Sequence, residues 1–345
     1  MQCQRHPQER ISATGILLSH SFQKTILFLL VSWLSLASFS QPANNVSSKT
    51  LALFNAIRSG SSEQLQQQLA NGASANDTLN SYSALMAATL NGSVDQMKIL
   101  IDHGANVNYQ SGDTTTALWL AVPDWDKTKL LLEHGADPNH TIRHYGVMVK
   151  LASIPGTINM FHLLIDHGAD LKKMAPDNFL VYNAAASGDT AMLGFLLRSG
   201  LPVNDTIFNG DYPINAATEF STVATLKMLI DHGANVNVAP VISYQLEPLK
   251  GFTPLMWAAW GHEKQSFLYL LEHGADPNAR STTGTTPLML LVRGVTDDPE
   301  MTKAILDHGA RPLDKTPDGK DALYYAMQKG NDSPSVQILK SYSNK

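Results

Sequence analysis

Two kinds of apolar block alternate along most of this chain, and residues 253–278 show both. The first, Leu255-Met256-Trp257-Ala258-Ala259, is short and ends in small side chains. The second places Phe267, Leu268, Leu270 and Leu271 at helical spacing among polar residues. Thr253 suits a cap for the first helix, and Pro254 suits its first position, where an N–H has no intrahelical partner anyway. The alanine pair lets a neighbouring element approach closely. The second helix should stop at His273-Gly274, because glycine takes the left-handed conformation at little cost. Ala275-Asp276-Pro277-Asn278 then turns the chain toward another block.

The same phrase recurs. Leu-Ile-Asp-His-Gly-Ala-Asn-Val-Asn stands at 100–108 and again at 229–237, and Leu-Leu-Glu-His-Gly-Ala-Asp-Pro-Asn at 131–139 and 270–278. Successive glycines at 72, 104, 135, 168, 200, 233, 274 and 309 are 32, 31, 33, 32, 33, 41 and 35 residues apart. A period near 33 means one supersecondary unit used many times. Related openings are Ser83-Ala84-Leu85-Met86-Ala87-Ala88, Thr116-Ala117-Leu118-Trp119-Leu120-Ala121, Tyr212-Pro213-Ile214-Asn215-Ala216-Ala217 and Thr286-Pro287-Leu288-Met289.

These residues resemble the ankyrin repeat. The resemblance implies an all-α solenoid of about nine helix-turn-helix units with projecting hairpin loops, over residues 50–342. The units fall near 50–77, 78–108, 109–139, 140–170, 171–204, 205–237, 238–278, 279–311 and 312–342. The first is Gln-rich on its second helix (Gln64, Gln66, Gln67, Gln68), as a solvent-facing cap should be. The fourth has a degenerate first helix around Val147 to Ser153 and is the expected weak link. The family motif usually carries a histidine after Thr-Pro-Leu. Here Met86, Trp119, Tyr182, Asn215, Met256, Met289 and Tyr324 take its place, so apolar packing is expected to replace a polar ladder.

The N-terminus changes the picture. Thr25 to Phe39 is an uncharged apolar run that follows Arg5, Arg10 and Lys24 and ends in small residues. It is too short for a bilayer-spanning helix and has the order of a secretory signal peptide, with cleavage expected after Ser40 and a linker at 41–49. A retained membrane anchor is the alternative. Cleavage would remove three basic residues, Glu9 and Cys3, the single cysteine, and would take the formal charge from −5 to −7. The mature chain would carry no thiol, and no stable membrane insertion is expected of it. That charge, without clustered Lys and Arg, argues against nucleic acid as partner.

Signals for chemistry are few. His103, His134, His167, His232, His273 and His308 each precede a helix-ending glycine; one per unit, they are too widely spaced to share an ion and suit the negative end of a helix. His140 and His144 flank Arg143 in an inter-unit loop, where helical ligand spacing does not apply. His262-Glu263 begins like a zinc-protease signature, but Ser266 stands where the second histidine belongs. No phosphate-binding loop or nucleophile elbow is present. No catalytic, cofactor or metal residue is therefore expected, and the chain reads as a non-enzyme.

The resemblance points instead to a binding face. In the ankyrin unit, the residue before the paired alanines and those just after them line a concave groove. Carried over, these are Ala87 with Leu90, Leu120, Asn183, Ala216 with Phe220, Trp257 with Trp260, Leu290 with Arg293, and Tyr325. Trp257 and Trp260 share a helix face, and large aromatics are frequent hot spots. The alternative is that the tryptophans fill a seam between units. The long 41-residue interval inserts an apolar stretch, Val238 to Lys250, which includes Tyr244. The expectation is a monomeric, exported scaffold, periplasmic or secreted, that holds a partner protein through Trp257, Trp260, Phe220, Arg293, Tyr325 and Tyr244. Alternatives are a secreted effector acting on host proteins, or an enzyme or small-ligand binder with a loop-borne site.

Overall fold

In the computed structural model, residues 46–343 are described, except 143–144, 175–177, 208–209, 221, 241–248 and 295. The apolar run at Thr25–Phe39 and its cleavage point therefore lie outside the described residues. The chain forms two compact units, residues 1–121 and 122–345.

The first unit holds two complete helix pairs and a further short helix. The pairs are α1 (Ser48–Ser59) with α2 (Ser62–Ala70), and α3 (Ala84–Asn91) with α4 (Val94–Asp102); α5 (Ala117–Ala121) packs on α3. Between the pairs projects a small antiparallel hairpin, β1 (Thr78–Leu79) with β2 (Tyr82–Ser83). Asn80 and Ser81 at its tip both have positive φ, the geometry a tight two-residue hairpin requires.

The second unit opens with α6 (Trp125–Glu133) and a second hairpin, β3 (Thr141–Ile142) with β4 (Tyr145–Gly146). Six helix pairs follow: α7 (Val147–Ala152) with α8 (Ile158–Asp166); α10 (Phe179–Ser187) with α11 (Thr190–Arg198); α12 (Pro213–Phe220) with α13 (Val223–Asp231); α14 (Pro254–Gly261) with α15 (Lys264–Glu272); α16 (Pro287–Arg293) with α17 (Pro299–Asp307); and α18 (Ala322–Met327) with α19 (Pro334–Ser343). A single-turn helix, α9 (Leu171–Met174), interrupts the series after α8. First helices pack on first helices, in the order α7, α10, α12, α14, α16, α18, and second helices on second helices from α11 to α19.

Local chemistry starts and stops these helices as the pattern predicts. Thr253 and Thr286 each accept a hydrogen bond from the backbone three residues on, with Pro254 and Pro287 opening the helices behind them. Gly233 and Gly274 have φ of +85° and +83°, and nothing stands within 4 Å of where a Cβ would sit. Their requirement is purely a backbone one.

Asparagines join successive units, a feature the sequence reading did not anticipate. The side chain of Asn76 donates to the carbonyl of Gly104 and accepts from the N–H of Asn106. Asn139, Asn204, Asn237 and Asn278 repeat this onto Gly168 and Asp170, Gly233 and Asn235, Gly274 and Asp276, and Gly309 and Arg311. The donated bonds are 2.9–3.0 Å and the accepted ones 2.7–2.9 Å. Each asparagine stands four residues after a helix-ending glycine and satisfies the carbonyl that the next left-handed glycine leaves turned outward. Asn108, Lys172 and Leu313 follow the other three glycines at this spacing; Lys172 lies in α9, and Leu313 is 59% exposed.

The missing histidine ladder is replaced in two ways. Met86, Met256 and Met289 are fully buried and supply apolar packing. At Tyr182 and Asn215 the replacement is polar, which corrects the expectation of apolar packing throughout. Both side chains donate to the carboxylate of Asp211, at 3.0 and 2.9 Å.

Candidate protein-binding face

The first-helix row of the second unit carries the expected binding residues, and the structure separates them. Trp257 is only 7% exposed, and its ring meets Phe252 edge-on at 5.1 Å. It fills the seam. Ala87, Ala216 and Leu290, at the same place in their helices, are buried as well. At the same place Leu120, Asn183 and Tyr325 stay half-exposed, so burial at this position varies along the row. Trp260, one turn on, remains half-exposed and touches the other edge of Phe252, with ring centroids 6.4 Å apart.

Arg293 stands in α16 where Trp260 stands in α14, and it is exposed. Its guanidinium lies 5.6 Å from the ring centroid of Tyr325 on α18, a cation–π distance. Tyr325 is half-buried and meets Tyr324 edge-to-face at 5.5 Å. Trp260, Arg293 and Tyr325 thus form an aromatic and cationic strip along three successive first helices. Phe220 closes α12. Tyr244 lies outside the described residues, with most of the insertion. The insertion's base is closed by Gly251 N–H to the carbonyl of Pro240, and Thr282 N–H donates to the carbonyl of Lys250.

Two charged residues of the same row escaped the sequence reading. Lys150 occupies in α7 the position Trp257 has in α14. Its amine donates to the carbonyl of Val122 at 2.8 Å, and burial pulls its pKa down to about 8. Glu219 occupies in α12 the position of Trp260. Burial, and then the neighbouring Asp211 carboxylate, push it up to about 8. Asp211 is itself raised by burial, against the hydrogen bonds from Asn215, the Tyr212 N–H and Tyr182. The signal for both was register: each stands where the ankyrin template already placed groove residues. The degenerate sequence of α7 hid the first.

The recurrent histidines are helix caps. In all six, Nδ1 lies 2.8–2.9 Å from the carbonyl four residues back. A carbonyl only accepts, so Nδ1 carries the proton in this arrangement. His144 and Arg143 lie outside the described residues, and His140 immediately precedes β3 of the second hairpin. Among the described residues no helix is long and apolar enough to cross a membrane.

Comparison with known proteins agrees with the repeat geometry. The family model for ankyrin repeats (3 copies) matches residues 53–142, 180–281 and 269–345. The stretch between the first two matches is the one that holds α7, α8 and α9. An ankyrin repeat protein of fowlpox virus, FPV014, is 28% identical over 172 residues, 48% of this chain and 39% of its own. Human ankyrin repeat and SOCS box protein 3 is 34% identical over 105 residues, 30% of this chain and 19% of its own. The ankyrin repeat protein YahD of Escherichia coli is 30% identical over 176 residues, 48% of this chain and 83% of its own. The chain spans well under half the length of the first two relatives.

Proposed function

The chain belongs to the ankyrin repeat family, whose arrays are generally protein–protein interaction modules, and on that premise we propose a non-catalytic scaffold that holds one partner protein on its first-helix face. The observation that carries the placement is the strip of Trp260, Arg293 and Tyr325. It sets a half-exposed indole and an exposed guanidinium on adjacent helices of a packed row. Tryptophan, tyrosine and arginine are the residues on which interface energy concentrates. Rigid first helices hold them in place, so little ordering is needed on binding. The hairpin tips and the Val238–Lys250 insertion extend the surface in this reading. Trp257 and Trp260 both meet the ring of Phe252.

The proposal includes export, supported by the apolar run before Ser40, and places the mature protein in a periplasm. Secretion to act on host proteins is the second reading. Cell fractionation decides between them, since recovery only from the medium would sink the periplasmic assignment. For the binding face, the partner captured by the wild-type protein should be identified, purified and titrated against Trp260→Ala/Arg293→Ala. The double variant should bind at least about tenfold more weakly, a loss of about 1.4 kcal/mol. Its far-UV spectrum should be unchanged. Equal affinity would place the interface elsewhere.

A further inference from the structure

His262 follows α14 directly, and nothing in the binding proposal uses it. It is a non-glycine residue at φ +54°, and its N–H caps the end of the helix that carries Trp260. Its ring turns inward. Both ring nitrogens are buried, and neither has a hydrogen-bond partner. The ring lies so close to the α16–α17 connection that a Cβ added to Gly294 would fall 1.9 Å from Nε2. Glycine at 294 is therefore what admits the imidazole.

The surroundings suit a neutral ring and not a charged one. From the α18–α19 connection comes Lys329, whose amine donates to the carbonyl of Thr296 at 2.7 Å and whose charge opposes a second cation. From the α16–α17 connection comes Asp298, an anion that favours a charged ring, but its carboxylate is engaged by the N–H of Met301 as the cap of α17. Asp297 beside it accepts from Ser335. On the histidine's own turn, Lys264 is paired with Glu300 across to α17. From α12, the titratable group is Glu219, held toward its neutral form.

We infer that His262 is an acid-responsive latch: its neutral ring fastens the end of α14 to the α16–α17 connection, and protonation drives the ring out. A neutral ring leaves one N–H without an acceptor in this pocket, whereas an imidazolium leaves two and adds a buried charge. Ejecting the ring leaves the left-handed cap unsupported and frees the last turn of α14, where Trp260 sits. The latch works through stability and holds whether or not the first-helix face has a partner.

Burial first, and Lys329 second, hold the His262 pKa below the ordinary histidine value, against Asp298. The unfolded chain therefore binds the proton more readily than the folded one. Stability is full above the unfolded value, about pH 6.5, and declines as pH falls below it. The test is thermal unfolding of the full chain between about pH 7.5 and about pH 5, on both sides of that value. His262→Asn retains a residue that tolerates positive φ and cannot titrate there. The variant should lose markedly less melting temperature on acidification than the wild type. His273→Asn, at an exposed helix cap, should track the wild type. Parallel curves for the wild type and His262→Asn would overturn the latch. If His262→Asn fails to fold, NMR titration of the wild-type imidazoles decides. A midpoint for His262 below those of the exposed histidines supports the latch, and one at or above them overturns it.

Discussion

The fourth and seventh units are built from the same pattern and finished differently. The first helix of each buries a run of five apolar residues: Val147, Met148, Val149, Leu151 and Ala152 in α7, and Leu255, Met256, Trp257, Ala258 and Ala259 in α14. The ends differ. Thr253 caps α14 and Pro254 opens it, whereas Gly146 gives α7 no side-chain cap; the second helices, α8 and α15, both start without one. The seventh unit is clamped on both sides, by Asn237 and Asn278. The fourth receives a clamp from Asn139, but Lys172 stands where it should pass one on. It is tied to the next unit by Gly156 N–H to Asp189 and by Asn183 to the carbonyl of Val149. Two β-branched residues, Val147 and Val149, lower the intrinsic helical preference of α7 further. Apolar pattern is thus enough to stack a unit; caps and clamps decide how firmly its ends are held.

That contrast can be broken by measurement. Met256 and Val149 stand at the same place in their helices. Met256→Ala should destabilise by about 2–5 kcal/mol in urea unfolding, as for other buried methionines, and Val149→Ala by about 1–2 kcal/mol. Equal losses, despite the smaller side chain at Val149, would mean that the fourth unit loses more per buried atom than the seventh and is not the weaker one. Gly274→Val and Gly168→Val test the opposite point. Both glycines have positive φ in open space, so each variant should lose about 1 kcal/mol or more, and by similar amounts. A large inequality would show a tertiary role at one of them.

Asn237→Ala removes both bonds of a clamp and should cost about 1 kcal/mol. Lys172→Ala at the equivalent place should stay within about 0.5 kcal/mol of the wild type. Amide exchange would sharpen this, with α7 and α8 opening before α14 and α15. The smallest effect is expected at Glu219, between the two regions. Its pKa is raised on folding, so its contribution is full below the unfolded value, about 4.3, and is lost as pH climbs through about 8. Glu219→Gln should flatten the fall in melting temperature between about pH 4 and about pH 9, a window that brackets those two values. Solvent reaching this half-exposed side chain keeps the change modest. An unaltered slope would remove Glu219 from the account.

Much of this molecule was legible because it is local. Period, helix starts and helix-ending glycines follow from caps, proline geometry and left-handed backbone, each decided within a few residues of the chain. The candidate face was half legible, since Trp260, Arg293 and Tyr325 stand where the repeat template puts them. Tertiary packing decided the rest. Trp257 is a seam residue because the folded chain buries it against Phe252. Asn76, Asn139, Asn204, Asn237 and Asn278 are clamps because the next glycine's carbonyl arrives about thirty residues later. Lys150, Glu219 and His262 have shifted pKa values because the folded chain partly buries them. A periodic sequence states what one unit is; what its side chains do depends on the unit beside it.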